Sequence, residues 1–317
     1  MPRKSVIQMS ALGAFTILSC LLFMFYKIGG SWSFALEERG IKLAAIGLTA
    51  VAIAVSTLIF QTLTQNRILT PSVMGLDSLY MLFQTLLVFF IGPDNPLMAN
   101  KNMNFIATLI LMIAFSFMLY HLLFRRERVS IYFLLLLGIV FGTLFQNGSS
   151  FMQMLIDPNE FLIVQGKMFA SFNSVNGTVL GVASIVLILS LFYLAYWFKY
   201  LDVLRLGKDQ AINLGVPYFK LARHLLIIIS IMISVATALV GPVTFLGLLV
   251  VNVTYQLFDT YRHKVLIPGA ILLSMIALVF GQWMVERIFT FNTTLSVIIN
   301  FIGGAYFIYL LIKESRG

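Results

Sequence analysis

Charge is what this sequence has least of. Of its 317 residues only 10% are Asp, Glu, Lys or Arg, where a soluble domain carries roughly a quarter. Its three histidines, His121, His224 and His263, have no paired metal-ligand spacing. The one cysteine, Cys20, excludes an internal disulfide and a multi-cysteine metal centre. There is no G-x-x-x-x-G-K-[ST] phosphate loop, because Gly166-Lys167 and Gly207-Lys208 lack both the upstream glycine and the hydroxyl residue. No serine or cysteine nucleophile has a base beside it, so neither a catalytic constellation nor a cofactor or metal site is expected. Ionisable groups inside apolar runs are scarce; Asp77 and Glu286 come nearest, both close to run ends. Proton-coupled transport depends on such groups as relays, and their scarcity places the energy source on another subunit.

What the chain does have is hydrocarbon: 60% of its residues are hydrophobic and the mean hydropathy is +0.97. Apolar runs of about 20 residues, enough to cross a bilayer as a helix, recur throughout. Spanning backbone must satisfy its own hydrogen bonds, which leaves helices or a closed barrel, and these runs are too long for barrel strands. The expected fold is therefore all-α and polytopic, one transmembrane domain over 1–317 with no soluble domain. About ten spans are read near 6–28, 43–64, 73–92, 104–124, 130–148, 177–198, 219–240, 243–257, 266–289 and 295–312. The eighth is short, and Gly241-Pro242 before it with Gly247 inside it points to a half-helix packed within the bundle. Segment 149–176, with Asp157-Pro158, is expected to hold a short interfacial helix. Small residues from Ala44 to Ser56 suit a second span crossed closely by others. The stretch from Pro2 to Cys20 imitates a lipoprotein signal, but cleavage would destroy the first span, so an uncleaved helix is the plainer account.

The net charge of +9 is scattered over loops and marks no nucleic-acid surface. An even number of spans puts both termini on one side. Taking that side as cytoplasmic places 15 Lys and Arg inward and 6 outward of the 21 present, which agrees with the bias of basic residues toward cytoplasmic loops.

One stretch, 199–217, interrupts the apolar pattern with Lys199, Asp202, Arg205, Lys208, Asp209, Gln210 and Asn213. A polar helix over about 202–214, stopped by Gly215 and Pro217, cannot lie in hydrocarbon and belongs in water against the membrane face. Leu206-Gly207, Ala211 and Leu214-Gly215-Val216 resemble the L-G-x-x-x-A-x-x-L-G-V segment of the FecCD family of bacterial ABC importer permeases. A second stretch, Gln61, Asn66, Pro71 and Gly75, is similar to that family's Q-x-x-x-x-N-P-L-A-x-P-x-x-x-G, with Arg67 where the family commonly has Pro. Here Pro71 makes a turn between spans and Asn66 satisfies freed backbone groups, a structural role. A third keeps Gly241, Phe245 and Gly247 but has Val251-Asn252 in place of Pro-His, and in 301–311 Ala305 replaces a Pro.

The resemblance implies a B12-importer-like permease fold in a bacterial plasma membrane. It further implies coupling of 202–214 to ATP-binding cassette ATPase subunits and pairing with a second, unlike permease. The lost prolines resemble the iron-siderophore branch, with ferric siderophore as cargo delivered by an extracytoplasmic binding protein. Arg39 and Lys42 stand where the family often has R-x-P-R, which implies docking of that protein; a solvated helix end explains the pair equally well, and Arg287 is a further docking candidate. The translocation path is expected to be broad and mostly neutral. The competing reading is a secondary transporter of another solute, working without ATP.

Overall fold

The computed structural model describes residues 3–27, 31–93, 95–124, 131–173 and 175–314; Arg125, Arg126, Arg128 and Arg316 of the charge count lie outside them. Among the described residues every regular element is helical: α1 (Arg3–Phe25), α2 (Trp32–Thr64), α3 (Leu76–Ile91), α4 (Pro96–Ala99), α5 (Lys101–Phe124), α6 (Ile131–Gln153), α7 (Pro158–Lys167), α8 (Gly177–Trp197), α9 (Leu201–Leu204), α10 (Lys208–Asn213), α11 (Tyr218–Val240), α12 (Leu246–Leu257), α13 (His263–Arg287) and α14 (Leu295–Glu314), with 3-10 turns over Pro71–Met74 and Phe198–Tyr200. Seven are long and apolar enough to cross a membrane; α3, α12 and α14 are shorter apolar helices.

Two helices form the axis of the bundle. α2 and α11 pack along each other, α13 lies against α2, and α5 and α8 lie against α11. Small side chains allow the close approach: Ala45, Ala50, Ala52, Ala54 and Ser56 of α2 are completely buried. α3 pairs with α6 through backbone contact. Gly75 has φ +77, and a Cβ there would stand 2.9 Å from the carbonyl oxygen of Gly138, so this crossing requires glycine. α12 follows a non-helical stretch over 241–245 and spans only 12 residues, the half-helix expected from Gly241-Pro242. The short helix expected within 149–176 is α7, capped by the Asp157 carboxylate, which accepts from the Asn159 amide.

The second span begins earlier than charge alone implies. α2 runs 33 residues, about 50 Å at 1.5 Å per residue, so its first turns stand beyond a hydrocarbon core of about 30 Å. Glu37, Glu38, Arg39 and Lys42 therefore lie on a helix. The Arg39 guanidinium donates to the carbonyls of Phe23, Met24, Tyr26 and Lys27 at 2.9–3.4 Å, and Arg287 donates to those of Tyr26 and Lys27. Two cations thus satisfy the C-terminal carbonyls of α1, where the helix dipole is negative.

Arg39→Ala should lower the thermal unfolding temperature of the detergent-solubilised protein, through a loss of about 1–3 kcal/mol from these charge-assisted bonds. Arg39→Lys should recover part of it.

Candidate coupling site

The polar segment after α8 is two helices rather than the one expected over 202–214. α8 continues through a 3-10 turn into α9, and the chain then bends at Gly207, whose φ of +101 is open to glycine but strained for other residues. α10 ends in a Schellman cap: Gly215 takes φ +80, its amide donates to Ile212, and that of Val216 donates to Ala211 at 3.0 Å. Ala211 is completely buried while Leu206 and Leu214 are 56% and 63% exposed. The pair thus turns Leu206 and Leu214 outward while Ala211 faces the bundle.

The pair is clasped to the bundle. Asp202 Oδ1 accepts from the backbone amide of His263 at 2.9 Å and pairs with its Nδ1 at 2.7 Å. His263, fully buried at the start of α13, meets Thr62 of α2 through Nε2 at 2.9 Å. One carboxylate therefore holds α9, α13 and α2 together and, like a helix N-cap side chain, accepts from an orphan N–H donor at the start of α13. Burial alone would raise the Asp202 pKa, but the amide and imidazole of His263 and the charge of Arg262 outweigh it and hold the carboxyl below its usual value. Gln65, in left-handed conformation at the end of α2, adds a bond from Nε2 to the Leu204 carbonyl at 2.6 Å.

The other singled-out residues build the frame around this clasp. Gln61 Nε2 donates to the Arg67 carbonyl at 2.7 Å, Asn66 Oδ1 accepts from the Ile68 amide at 2.8 Å, and Pro71 opens the 3-10 turn that Gly75 closes. Gly241 has φ +99 and passes the Phe169 and Ala170 backbone closely. Gly247 faces Thr57 with no room for a Cβ, and Phe245 packs against Gly303 and Phe307. Arg39 and Lys42 lie elsewhere, at the far end of α2. Lys42, 9% exposed, pairs with Glu38 at 3.0 Å and Glu286 at 3.6 Å.

A polar seam of about 290 Å³ runs between α3, α6 and the stretch before α12, lined by Asp77, Ser78, Gln146, Ser149 and Gln153. Thr237 donates to Asp77, and Thr85, Ser149 and Gln153 bond one another at 2.8–3.2 Å.

The FecCD transport family model matches residues 7–313. The chain belongs to the FecCD transport family. It is 54% identical over 313 residues to the petrobactin import system permease protein YclO of Bacillus subtilis (strain 168), covering 99% of each protein. The petrobactin import system permease protein FatC of Bacillus anthracis is 32% identical, over 88% of this chain and 78% of its own length. The iron(3+)-hydroxamate import system permease protein FhuB of Escherichia coli (strain K12) is 27% identical; 99% of this chain covers 48% of that protein. In fold, the chain is similar to an inward-facing metal-chelate type ABC transporter, with a TM-score of 0.81 at 19% identity over 98% of this chain and 99% of that one.

Two of the departures from the FecCD pattern meet in space. Asn252 Nδ2 donates to the Arg67 carbonyl at 2.9 Å, so the residue in place of the family's His holds the loop that carries the residue in place of its Pro. Sequence reasoning missed this contact, along with Thr62, Gln65 and the pairing of Asp202 with His263. The last two lie 61 residues apart with no motif between them, and the available signal was a carboxylate and a histidine at the same end of neighbouring spans.

Because the Asp202 pKa is lowered on folding, its stabilisation is complete above the ordinary carboxylate value of about 4 and is lost as pH falls through the lowered folded value. Asp202→Asn should therefore be less thermostable than the parent at pH 7, and the gap should close only below about pH 4, as followed by unfolding temperature against pH.

Proposed function

We propose that this chain is the permease subunit of an ABC importer for a ferric siderophore of the petrobactin type, driven by separate ATPase subunits. The observation that carries the reading is the 54% identity to YclO over 99% of both chains. A secondary transporter acting alone finds no support in a FecCD match of this extent.

In this reading the end bearing α9 and α10 faces the cytoplasm, with both termini, and the segment 199–216 is a lever. Its exposed Leu206, Ile212 and Leu214 seat in a groove of the ATPase, while buried Ala211 keeps the lever on α11. Gly207 and Gly215 let it turn sharply at both ends. Closure of the ATPases moves the lever, and the Asp202–His263–Thr62 clasp passes that displacement to α13 and α2 as one body. The largely neutral seam around Asp77 and Ser149 belongs to the path, since a bulky chelate passes most readily along weak, distributed contacts.

FhuB, matched over about half its length by the whole of this chain, supports a pathway built from two permease units, and we take the second to be an unlike chain. The extracytoplasmic binding protein sits on the far end, where α1, α2 and α13 meet. Arg39 and Lys42 belong to that face, but their charges are engaged within the chain, as is that of Glu38 on Lys42, so the exposed Glu37 is its more available charge.

Leu214→Asp should leave membrane insertion intact while abolishing ATPase co-purification and cutting uptake of radiolabelled ferric siderophore at least about tenfold, the effect of burying one unpaired charge at an interface. Uptake at the parental rate would remove the lever from the coupling role.

A further inference from the structure

Behind the lever lies a cavity of about 470 Å³, bordered by Gln61, Gln65, Arg67, Arg205, Tyr255 and Tyr261. Its lining carries two cations, Arg67 and Arg205, against one carboxylate, Asp202. The guanidiniums of Arg67 and Arg205 stand 5.0 and 4.9 Å from the centroid of the same Tyr255 ring, and Arg205 also lies 5.4 Å from that of Tyr261. Two cations sharing one ring are within about one Debye length of each other, so salt leaves much of their repulsion in place. Asp202 borders the cavity and offsets one of these charges; its Oδ1 is turned to the amide and imidazole of His263, and the lining keeps a net positive charge.

Two polar atoms here are shut off from solvent without a hydrogen-bond partner among the described residues: Nη1 of Arg205 and Oε1 of Gln61. Gln61 is 3% exposed, and its amide nitrogen is fixed on the Arg67 carbonyl, which leaves the oxygen without a partner beside the cavity. An unpaired buried donor and an unpaired buried acceptor are each costly. A single molecule answers both, once the two side chains turn toward the cavity, if it offers an anionic oxygen to the arginines and a hydroxyl to Gln61. A lone carboxylate satisfies only the first and fills little of the volume. Phosphate oxygens suit the planar donors of arginine. The cavity also sits where α2 ends at Thr64 and α13 begins at His263, the level at which spans leave hydrocarbon and lipid phosphates lie.

We propose that this cavity binds a phosphate ester carrying a free hydroxyl, the chemistry of a glycerol-phosphate headgroup. Either a membrane lipid or a soluble phosphate ester supplies that chemistry. Bound there, it neutralises Arg67 and Arg205 and braces the lever against Tyr255. The inference rests on the cavity alone and stands apart from the cargo.

The test uses the full chain purified in mild detergent with its accompanying subunits. Native mass spectrometry follows retention of phosphatidylglycerol against phosphatidylcholine of the same acyl chains, with sn-glycerol 3-phosphate as soluble competitor. Phosphatidylglycerol should be held more tightly than phosphatidylcholine, and Arg205→Gln should weaken it about tenfold or more, the loss expected for one charge-assisted hydrogen bond. Arg67→Gln should act in the same direction; its side chain is exposed, so it remains informative if Arg205→Gln folds poorly. Competition by sn-glycerol 3-phosphate assigns a soluble ligand, and its failure to compete assigns the lipid; both agree with the proposal. Equal retention of the two lipids, or phosphatidylglycerol binding unchanged in both variants, would overturn it. So would loss of ATPase co-purification in Arg205→Gln with phosphate binding intact, which would mark the cavity as a socket for an acidic side chain of the partner.

Discussion

The carboxylate of Asp202 is the point on which the arrangement turns. Its oxygen satisfies the first amide of α13 and orients the imidazole of His263, whose other nitrogen meets Thr62 on α2. Three elements far apart in sequence are thereby held at one place, at one end of the bundle. A bond between a lever and two spans matters only if the spans move as bodies, and the packing favours that. α2 and α13 pack against each other, and close-packed helices shift between discrete arrangements rather than deforming smoothly.

The opposite end is fixed differently. Arg39 and Arg287 collect the last carbonyls of α1, and Lys42 sits between Glu38 and Glu286. These charges brace α1 onto α2 and α13 where the family resemblance alone implied contact with a partner. Between the two ends the interior is polar in patches: hydroxyls and amides bond one another along α3 and α6, with Asp77 the carboxyl beside them. Lipid offers them no partner, so they must pair within the protein or face a water-filled path.

Much of this was legible in the residue pattern, and the remainder fails to show for identifiable reasons. Apolar run length located the ten apolar helices, and Gly241-Pro242 announced the short α12. The polar stretch after α8 stood out because nothing else in the chain resembles it. The first turns of α2 were hidden because Glu37, Glu38, Arg39 and Lys42 look like the end of a span, while the helix simply continues into water and uses its charges on α1. The bend at Gly207 was hidden because a glycine between polar residues reads equally as a loose joint or a helix interruption. Contacts such as Asp202 with His263 and Arg67 with Asn252 depend on which spans are neighbours, and periodicity within one span carries no information about that.

The central claim is that the lever and α13 move together because Asp202 joins them. In a Cys20→Ser background, spin labels at Gln210 on the lever and at Lys264 at the start of α13 can each be paired with a reference label at Ile188 on α8. The two distances are then measured in the assembled importer before and after ATP-driven closure. The account predicts that both distances shift together, and that Asp202→Ala leaves the lever shift while abolishing the shift at Lys264. A lever that moves while Lys264 stays in place in the unmutated clasp would contradict it.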